Sequence, residues 1–153
     1  MSQTTGYGYV SDKAQAGQKY DIRPDTVGSY AAEGAIPFGV GVTYGTDPDN
    51  QCDIIDNAAD KFLGISLFTH TALNGYPTGD AEYKDTDTVS VLRKGAVWVE
   101  VTESVVAGDA AYVEVGGTDN GKFNKTSSGN VAIPGGKYLT SAAAGELAVL
   151  EIL

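Results

Sequence analysis

Histidine and cysteine are almost absent from this chain of 153 residues. His70 is the only histidine and Cys52 is the only cysteine. A single cysteine cannot form an intrachain disulfide, and a single histidine cannot supply the paired imidazole ligands of many zinc sites. The sequence therefore excludes a disulfide scaffold and a zinc site that needs two histidines.

Basic residues and long apolar runs are also scarce. Ten lysines and arginines stand against twenty acidic residues, which gives a formal net charge of -10 and a pI near 4.3. Such a charge repels a phosphate backbone and an anionic membrane surface. No stretch approaches the roughly 18 apolar residues of a membrane-spanning helix, and the opening "MSQTTGYGYVSDKAQAGQ" lacks the apolar run of a signal peptide. We expect no nucleic acid partner, no membrane partner and synthesis in a cytoplasm.

Catalytic motifs are missing around the residues that could carry chemistry. His70 lies between two threonines, and the sequence implies no orienting carboxylate and no nucleophile beside it. Ser66 is not in a G-x-S-x-G turn, and Cys52 has no motif around it. We therefore predict no catalytic residues, although two of the many carboxylates could in principle serve a glycosidase.

The sequence also lacks complete motifs for a metal ion or a cofactor. In "TDPDNQCDIID", Asp47, Asp49 and Gln51 fall at positions 1, 3 and 5 of a calcium loop. Position 6 must be glycine but is Cys52, and position 12 is Ala58 instead of glutamate. The glycines do not follow the G-x-G-x-x-G order of a dinucleotide site. The sequence predicts no metal site and no cofactor.

Glycine and short apolar segments are what the sequence has in abundance. Glycine accounts for 20 of 153 residues, nearly twice its usual share of about 7%. In "DTVSVLRKGAVWVEV" two apolar runs flank residues 93–95, which predicts a pair of strands, and Val97, Val99 and Val101 alternate with other residues as in a half-buried strand. Similar segments recur every 8 to 12 residues or so. Residues 27–153 are therefore predicted to form a mainly β, single-domain β-sandwich or β-barrel of short antiparallel strands.

Residues 1–26 differ from the rest because they are polar and show neither the helical nor the strand period. Too few apolar side chains are present to offset an ordering cost of about 1 to 2 kcal/mol per residue. We expect an extended N-terminal arm that is mobile in the free protein and orders on a partner. The predicted partner-binding residues of this arm are Tyr7, Tyr9, Tyr20, Ile22 and Arg23. A dispensable tail is the alternative.

The order of the strand motifs provides a family resemblance. The segments "AIPFGVGV", "KFLGISLFTHT", "YKDTDTVSVLRKGAVWVEV", "VVAGDAAYVEVGG" and "IPGGKYLTSAAAGELAVLEI" follow one another between residues 30 and 153. In this order they resemble the structural cement (head decoration) proteins of tailed bacteriophages. Motifs such as "FLGI" and "AGD--YV" carry the resemblance, and none of them is catalytic.

The resemblance implies a protein of the virion that binds the outer face of the capsid and braces contacts between major capsid protein subunits. It also implies synthesis in the cytoplasm of a bacterial host, no enzymatic activity, no cofactor and no chemical role for His70. We expect a homo-oligomer, with a homotrimer preferred and a homodimer possible, because a symmetric shell offers symmetric sites. Trp98 and Tyr112 are the predicted residues of the shared surface.

A carbohydrate-binding or adhesive β module is the alternative function. Such a module would also be acidic and rich in glycine and aromatic residues, with Trp98 and tyrosines stacking on sugar rings. The position of Trp98 distinguishes the two. A solvent-exposed indole among other aromatic rings would favour sugar binding, whereas a buried or subunit-covered indole would favour a cement protein.

Overall fold

The computed structural model describes residues 14–69 and 82–153, and it is mainly β. Strands make up 46% of it and helix only 2%, far below the third that is usual in globular proteins. The predicted mainly β fold of the barrel or sheet type is confirmed. No helix in the described ranges is long and apolar enough to span a bilayer. The strands are β1 (Thr26–Ala32), β2 (Ile36–Pro37), β3 (Gly41–Tyr44), β4 (Gln51–Ile54), β5 (Gly64–Ser66), β6 (Glu82–Tyr83), β7 (Thr88–Glu100), β8 (Ala110–Val113), β9 (Phe123–Asn124), β10 (Val131–Tyr138) and β11 (Leu147–Ile152).

Five strands close into a first ring. The hydrogen-bonded order runs β1-β4-β3-β5-β7, and β7 pairs back with β1. The β1–β4 pair is parallel, whereas the other pairs of this ring are antiparallel. A small β2–β6 sheet lies outside the ring order. The buried side chains of the first core are Ala32, Ile36, Phe38, Val40, Val42, Cys52, Leu63, Tyr83, Val89 and Val91.

The second ring shares β7 with the first. Its order is β7-β11-β10-β8-β9, and an isolated bridge between Val101 and Phe123 returns the chain to the end of β7. The predicted alternation is confirmed, because Val97, Val99 and Val101 are fully buried in this core. The remaining buried members of the second core are Ile55, Ile65, Leu67, Leu92, Val105, Ala111, Val113, Phe123, Val131, Ile133, Tyr138, Ala148, Leu150 and Ile152.

The predicted pair of strands around residues 93–95 is wrong, because β7 runs through this point as one strand of 13 residues. Thr26 lies opposite Lys94, but Val27 lies opposite Leu92, so Arg93 is an extra residue on β7. Such a bulge bends a strand without reversing it. Gly95 follows with a φ of 130°, a conformation that favours glycine. The bend lets one strand serve both rings.

The described part of the predicted arm lies against the chain's own second ring. The backbone N–H of Gly17 donates to the carbonyl of Trp98 at 2.8 Å, and the N–H of Trp98 donates to the carbonyl of Gln18 at 2.9 Å. The N–H of Tyr20 donates to the carbonyl of Ala96 at 3.0 Å. These residues use the edge of β7 that β11 leaves free. Residues 1–13 lie outside the described ranges.

Candidate partner-binding surface

The two side chains that could serve as nucleophiles have structural roles. The Ser66 hydroxyl donates to the carbonyl of Pro37 at 2.7 Å and accepts from the N–H of Val40 at 3.1 Å. Cys52 is buried in the first core, and burial, aided by the nearby Asp53 carboxylate, raises the pKa of its thiol to about 12. The thiol therefore stays protonated and unreactive at neutral pH. His70 lies outside the described residues.

The acidic loop after β3, residues 45–50, forms hydrogen-bonded turns. The Asp47 carboxylate accepts from the Asn50 amide at 2.9 Å, and the Gln51 side chain accepts from the N–H of Asp47 at 2.9 Å. Residues 14–69 and 82–153 contain no group of three or more His, Cys, Asp or Glu side chains that could hold a metal ion. The carboxylates of this loop are therefore part of an exposed turn.

Three of the predicted partner-binding residues lie together where the arm meets β7. The Tyr20 ring meets the Trp98 ring edge to face, with 5.7 Å between the ring centroids. The Arg23 guanidinium lies over the Tyr20 ring, 5.7 Å from its centroid. Together with Ile22 these side chains form what we call the arm patch. Stacking of this kind orients aromatic side chains and holds them in place.

Ion pairs fix the arm patch to the sheet. The Arg23 guanidinium binds the Asp21 carboxylate at 2.8 Å and also binds the Glu151 carboxylate on β11. The hydrogen bond from Arg23 lowers the pKa of Asp21, and the same hydrogen bond raises the pKa of Arg23. The guanidinium charge is thus balanced within the chain. A partner would therefore contact mainly the aromatic and aliphatic surface of this patch.

Ile22 is the most exposed large apolar side chain of the described residues, since it is fully accessible to solvent. Tyr20 beside it is 43% exposed. A single exposed apolar residue is common on protein surfaces, but Ile22 lies in the chain between Tyr20 and Arg23, and aromatic residues and arginine are enriched at interfaces. The arm patch is therefore available for contact with another protein.

Tyr112 lies on a different strand from the arm patch, and Trp98 is neither fully exposed nor fully buried. Tyr112 is half-buried on β8, where it lies opposite Ala132 and Asn124. Trp98 is half-buried, and its ring contacts the Tyr20 ring edge to face. The indole is thus neither a fully open stacking platform nor a core residue. Tyr7 and Tyr9 lie outside the described residues.

Sequence reasoning missed a cleft between the two rings, which we call the inter-ring cleft. Its volume is about 440 Å³, and β1, β3, β7 and the end of β11 contribute to its walls. The side chains that matter for its chemistry are Tyr44, Phe62, Arg93, Lys94, Ile152 and Leu153. The adjacent basic residues before Gly95 were the available signal, but their placement in one cleft follows from the bulge in β7.

Comparison with known proteins identifies the family. Residues 2–153 match the family described as structural cement protein (E217 gp24/Pam3 gp6). A comparison with curated proteins finds no match. Among solved structures, a chain of the capsid of Myoviridae phage XM1 is 18% identical with a TM-score of 0.73, covering 91% of this chain and 89% of that chain. This similarity shows a shared fold.

A second solved structure, the head fiber gp8.5 N base of bacteriophage phi29, is 17% identical with a TM-score of 0.48 and covers 85% of this chain and 95% of that chain. The family match does not depend on it. That match spans residues 2–153. The chain therefore belongs to the phage structural cement protein family, and it is a capsid-associated structural protein of the virion and not an enzyme.

Proposed function

We propose that this protein binds the outer face of a tailed-phage head and stabilises contacts between major capsid protein subunits. The observation that carries the proposal is the family match over residues 2–153. A cement protein needs no turnover. It needs a rigid framework that presents contact surfaces to a repeating lattice, and two closed β rings that share one strand supply such a framework.

The arm patch supports contact with a protein surface. Aromatic residues and arginine contribute disproportionately to binding energy at interfaces, particularly where their rotamers are already fixed. Tyr20 and Trp98 are fixed by their mutual contact, and Arg23 is fixed by its ion pairs. Ile22 adds exposed apolar area. A partner would therefore lose little conformational entropy on this side of the interface.

The charge of the chain supports a place outside the shell. A net charge of -10 opposes contact with packaged DNA, because nucleic acid binding depends on neutralising phosphates with basic residues. A protein added to the outer surface avoids that repulsion. The same charge keeps free copies apart before they reach the shell.

Repetition makes weak contacts sufficient. Copies that bind symmetric sites and also contact one another gain avidity, because each further contact forms within an assembly already held together. We propose a homo-oligomer on the shell. As in the sequence analysis, we prefer a homotrimer, and a homodimer is possible.

Co-sedimentation with capsids tests the proposal and the role of the N-terminal residues. Purified protein is mixed with undecorated mature capsids and centrifuged, alongside a variant that lacks residues 2–13. The deletion stops at 13 because Gly17 and Gln18 hydrogen-bond to β7, and their removal would damage the fold. We expect the full chain to sediment with capsids, and the shortened chain to keep its fold but bind more weakly because Tyr7 and Tyr9 are missing.

Two results would count against these expectations. Failure of the full chain to sediment with capsids would contradict capsid binding. Equal binding by both chains would show that residues 2–13 are a dispensable tail and would leave the arm patch as the anchor. Circular dichroism of both chains checks that the fold is retained.

A further inference from the structure

Two basic side chains lie side by side in the inter-ring cleft, and we call them the cleft cations. In a regular strand, Arg93 and Lys94 would point to opposite faces of the sheet. The bulge at Arg93 breaks this alternation, so both residues are exposed and both line the cleft. The described residues that line the rest of the cleft are all uncharged in their side chains: Thr26, Tyr44, Phe62, Leu63, Pro134, Ile152 and Leu153.

The cleft cations have no carboxylate partner in the part of the chain that the structure describes. The cations that form ion pairs there are Lys19, Arg23, Lys84 and Lys122. The cleft therefore holds a local excess of positive charge, although the net charge of the chain is -10. That charge is available to an acidic group from outside the chain.

The carboxylates next to the cleft are already bound by residues of the arm. Asp25 and Glu151 each directly precede a residue that lines the cleft. Lys19 pairs with Asp25 at 2.9 Å, and Arg23 pairs with Glu151. Because the arm neutralises these two carboxylates, they do not cancel the charge of the cleft cations.

Apolar side chains flank the cleft cations. Leu153 is 69% exposed and Tyr44 is 38% exposed, and half-buried Phe62 lies with them along the cleft. Apolar walls exclude water, and the attraction between opposite charges is stronger where water is excluded. A segment that carries carboxylates beside apolar side chains would therefore use both features of the cleft. Its volume of about 440 Å³ suits a few side chains and not a folded domain.

The inter-ring cleft also adjoins the arm patch. Arg23 of the arm patch binds Glu151, and the next residue on β11, Ile152, lines the cleft. On β7, the carbonyl of Ala96 accepts from the N–H of Tyr20 at 3.0 Å, two residues after the cleft cations. One side of the protein thus presents the cleft and the arm patch together, and both can contact the same partner surface.

We propose that the inter-ring cleft is the docking site for a peptide segment of the major capsid protein that carries carboxylates beside apolar side chains. The proposal rests on the proposed function, because it specifies which part of this chain contacts the shell. Charge complementarity argues for an acidic segment. A basic segment would be attracted to many places on this acidic chain, whereas an acidic segment is repelled by most of the surface and attracted most strongly where two unpaired cations adjoin. Docking in the cleft therefore fixes the position and orientation of the protein on the shell.

Charge reversal in the cleft tests the docking site in the full chain. The cleft variant carries Arg93→Glu and Lys94→Glu, and its binding to undecorated mature capsids is measured by co-sedimentation at increasing concentration and low salt. We expect its affinity for capsids to fall at least about tenfold, in the range of coupling between close charge pairs at interfaces. The difference from the unaltered chain should narrow as salt is raised, because ions screen the charges.

A matched control separates local charge from net charge. Lys125→Glu with Lys137→Glu makes the same change in net charge at exposed lysines that do not line the cleft. This control should bind capsids like the unaltered chain, and circular dichroism should show that all variants are folded. If the unaltered chain binds capsids, equal binding by the cleft variant or an equal loss in the control would overturn the docking site alone. Failure of the unaltered chain to bind would overturn the proposed function and the docking site together.

Carbodiimide cross-linking tests the identity of the partner without altering the chain. The reagent joins a lysine amine to a carboxylate beside it, and mass spectrometry of digested, decorated capsids identifies the joined peptides. We expect a peptide that contains Lys94 joined to an aspartate or glutamate of the major capsid protein. Decorated capsids that lack this cross-link, including those in which Lys94 is joined only to another copy of this chain, would overturn the proposal.

Discussion

Replacing Gly17 with alanine is expected to lower the free energy of unfolding by about 3 kcal/mol, because the new methyl group has no room and the backbone is strained. An alanine Cβ at this position would lie 2.8 Å from the backbone nitrogens of Gly39 and Phe68 and 3.0 Å from the carbonyl oxygen of Ser66. The N–H of Gly39 donates to the carbonyl of Ser66 at 2.7 Å and the N–H of Phe68 donates to the carbonyl of Gly17 at 2.9 Å, so these backbone atoms cannot move aside cheaply. Gly17 also has a φ of 86°, which costs an alanine about 1 to 2 kcal/mol.

The loss should appear as a melting temperature lower by about 6 to 12 °C, at about 2 to 4 °C per kcal/mol for a chain of this size. Gly129→Ala is the matched control, since Gly129 has a φ of 75° and no heavy atom within 4 Å of the added Cβ. It isolates the conformational cost from the steric cost. If both variants have the same melting temperature, the close packing of residue 17 against the first ring does not contribute to stability.

Replacing Phe123 with alanine is expected to lower the free energy of unfolding by about 3 to 5 kcal/mol, the usual cost of deleting a buried aromatic side chain. Phe123 is fully buried in the second core, and its backbone forms the bridge to Val101 that closes the second ring. The Tyr138 hydroxyl donates to the carbonyl of Asn124 next to it at 2.7 Å. A cavity at residue 123 would therefore loosen core packing and ring closure together.

Urea unfolding measures this change, with Phe123→Leu as the comparison variant. Leucine keeps most of the apolar volume, so its cost should stay below that of alanine, near the roughly 1.5 kcal/mol typical of conservative core exchanges. A loss under about 1 kcal/mol for the alanine variant would mean that the closure of the second ring does not depend on this side chain.

The sequence predicted the local features of the fold because they depend on neighbours in the chain. Alternation at Val97, Val99 and Val101 identified a strand and its buried face. The bend at Gly95 was interpreted as a turn between two strands, since a glycine after two charged residues is equally typical of a turn and of a bulge. Only the pairing partners of β7 decide between them.

The closure of the rings and the place of the arm could not be predicted, because they depend on contacts between residues far apart in the chain. The parallel β1–β4 pair and the bridge between Val101 and Phe123 leave no periodic signal. The contact of Gly17 with Gly39 depends on the absence of side chains at both positions. A glycine in a polar segment has no feature that identifies such a contact.

The candidate site was predicted in part by residue type. Aromatic and arginine residues in a polar segment pointed to Tyr20, Ile22 and Arg23, and in the structure the Tyr20 ring contacts both Trp98 and Arg23. The inter-ring cleft was missed, because the bulge that brings Arg93 and Lys94 into one cleft depends on the pairing of β7 with β1. Charge totals for a whole sequence cannot show where a local excess of the opposite sign lies.

The temperature at which DNA-filled heads release their DNA measures whether the protein stabilises the capsid. Heads that lack this protein are heated with and without saturating purified protein, and a fluorescent dye that binds free DNA reports the release. If the protein braces capsid subunits against internal pressure, release should shift to a higher temperature, and the gain should disappear when a folded chain that does not bind capsids is added instead. Release at the same temperature with the protein fully bound would show that the protein does not brace the capsid.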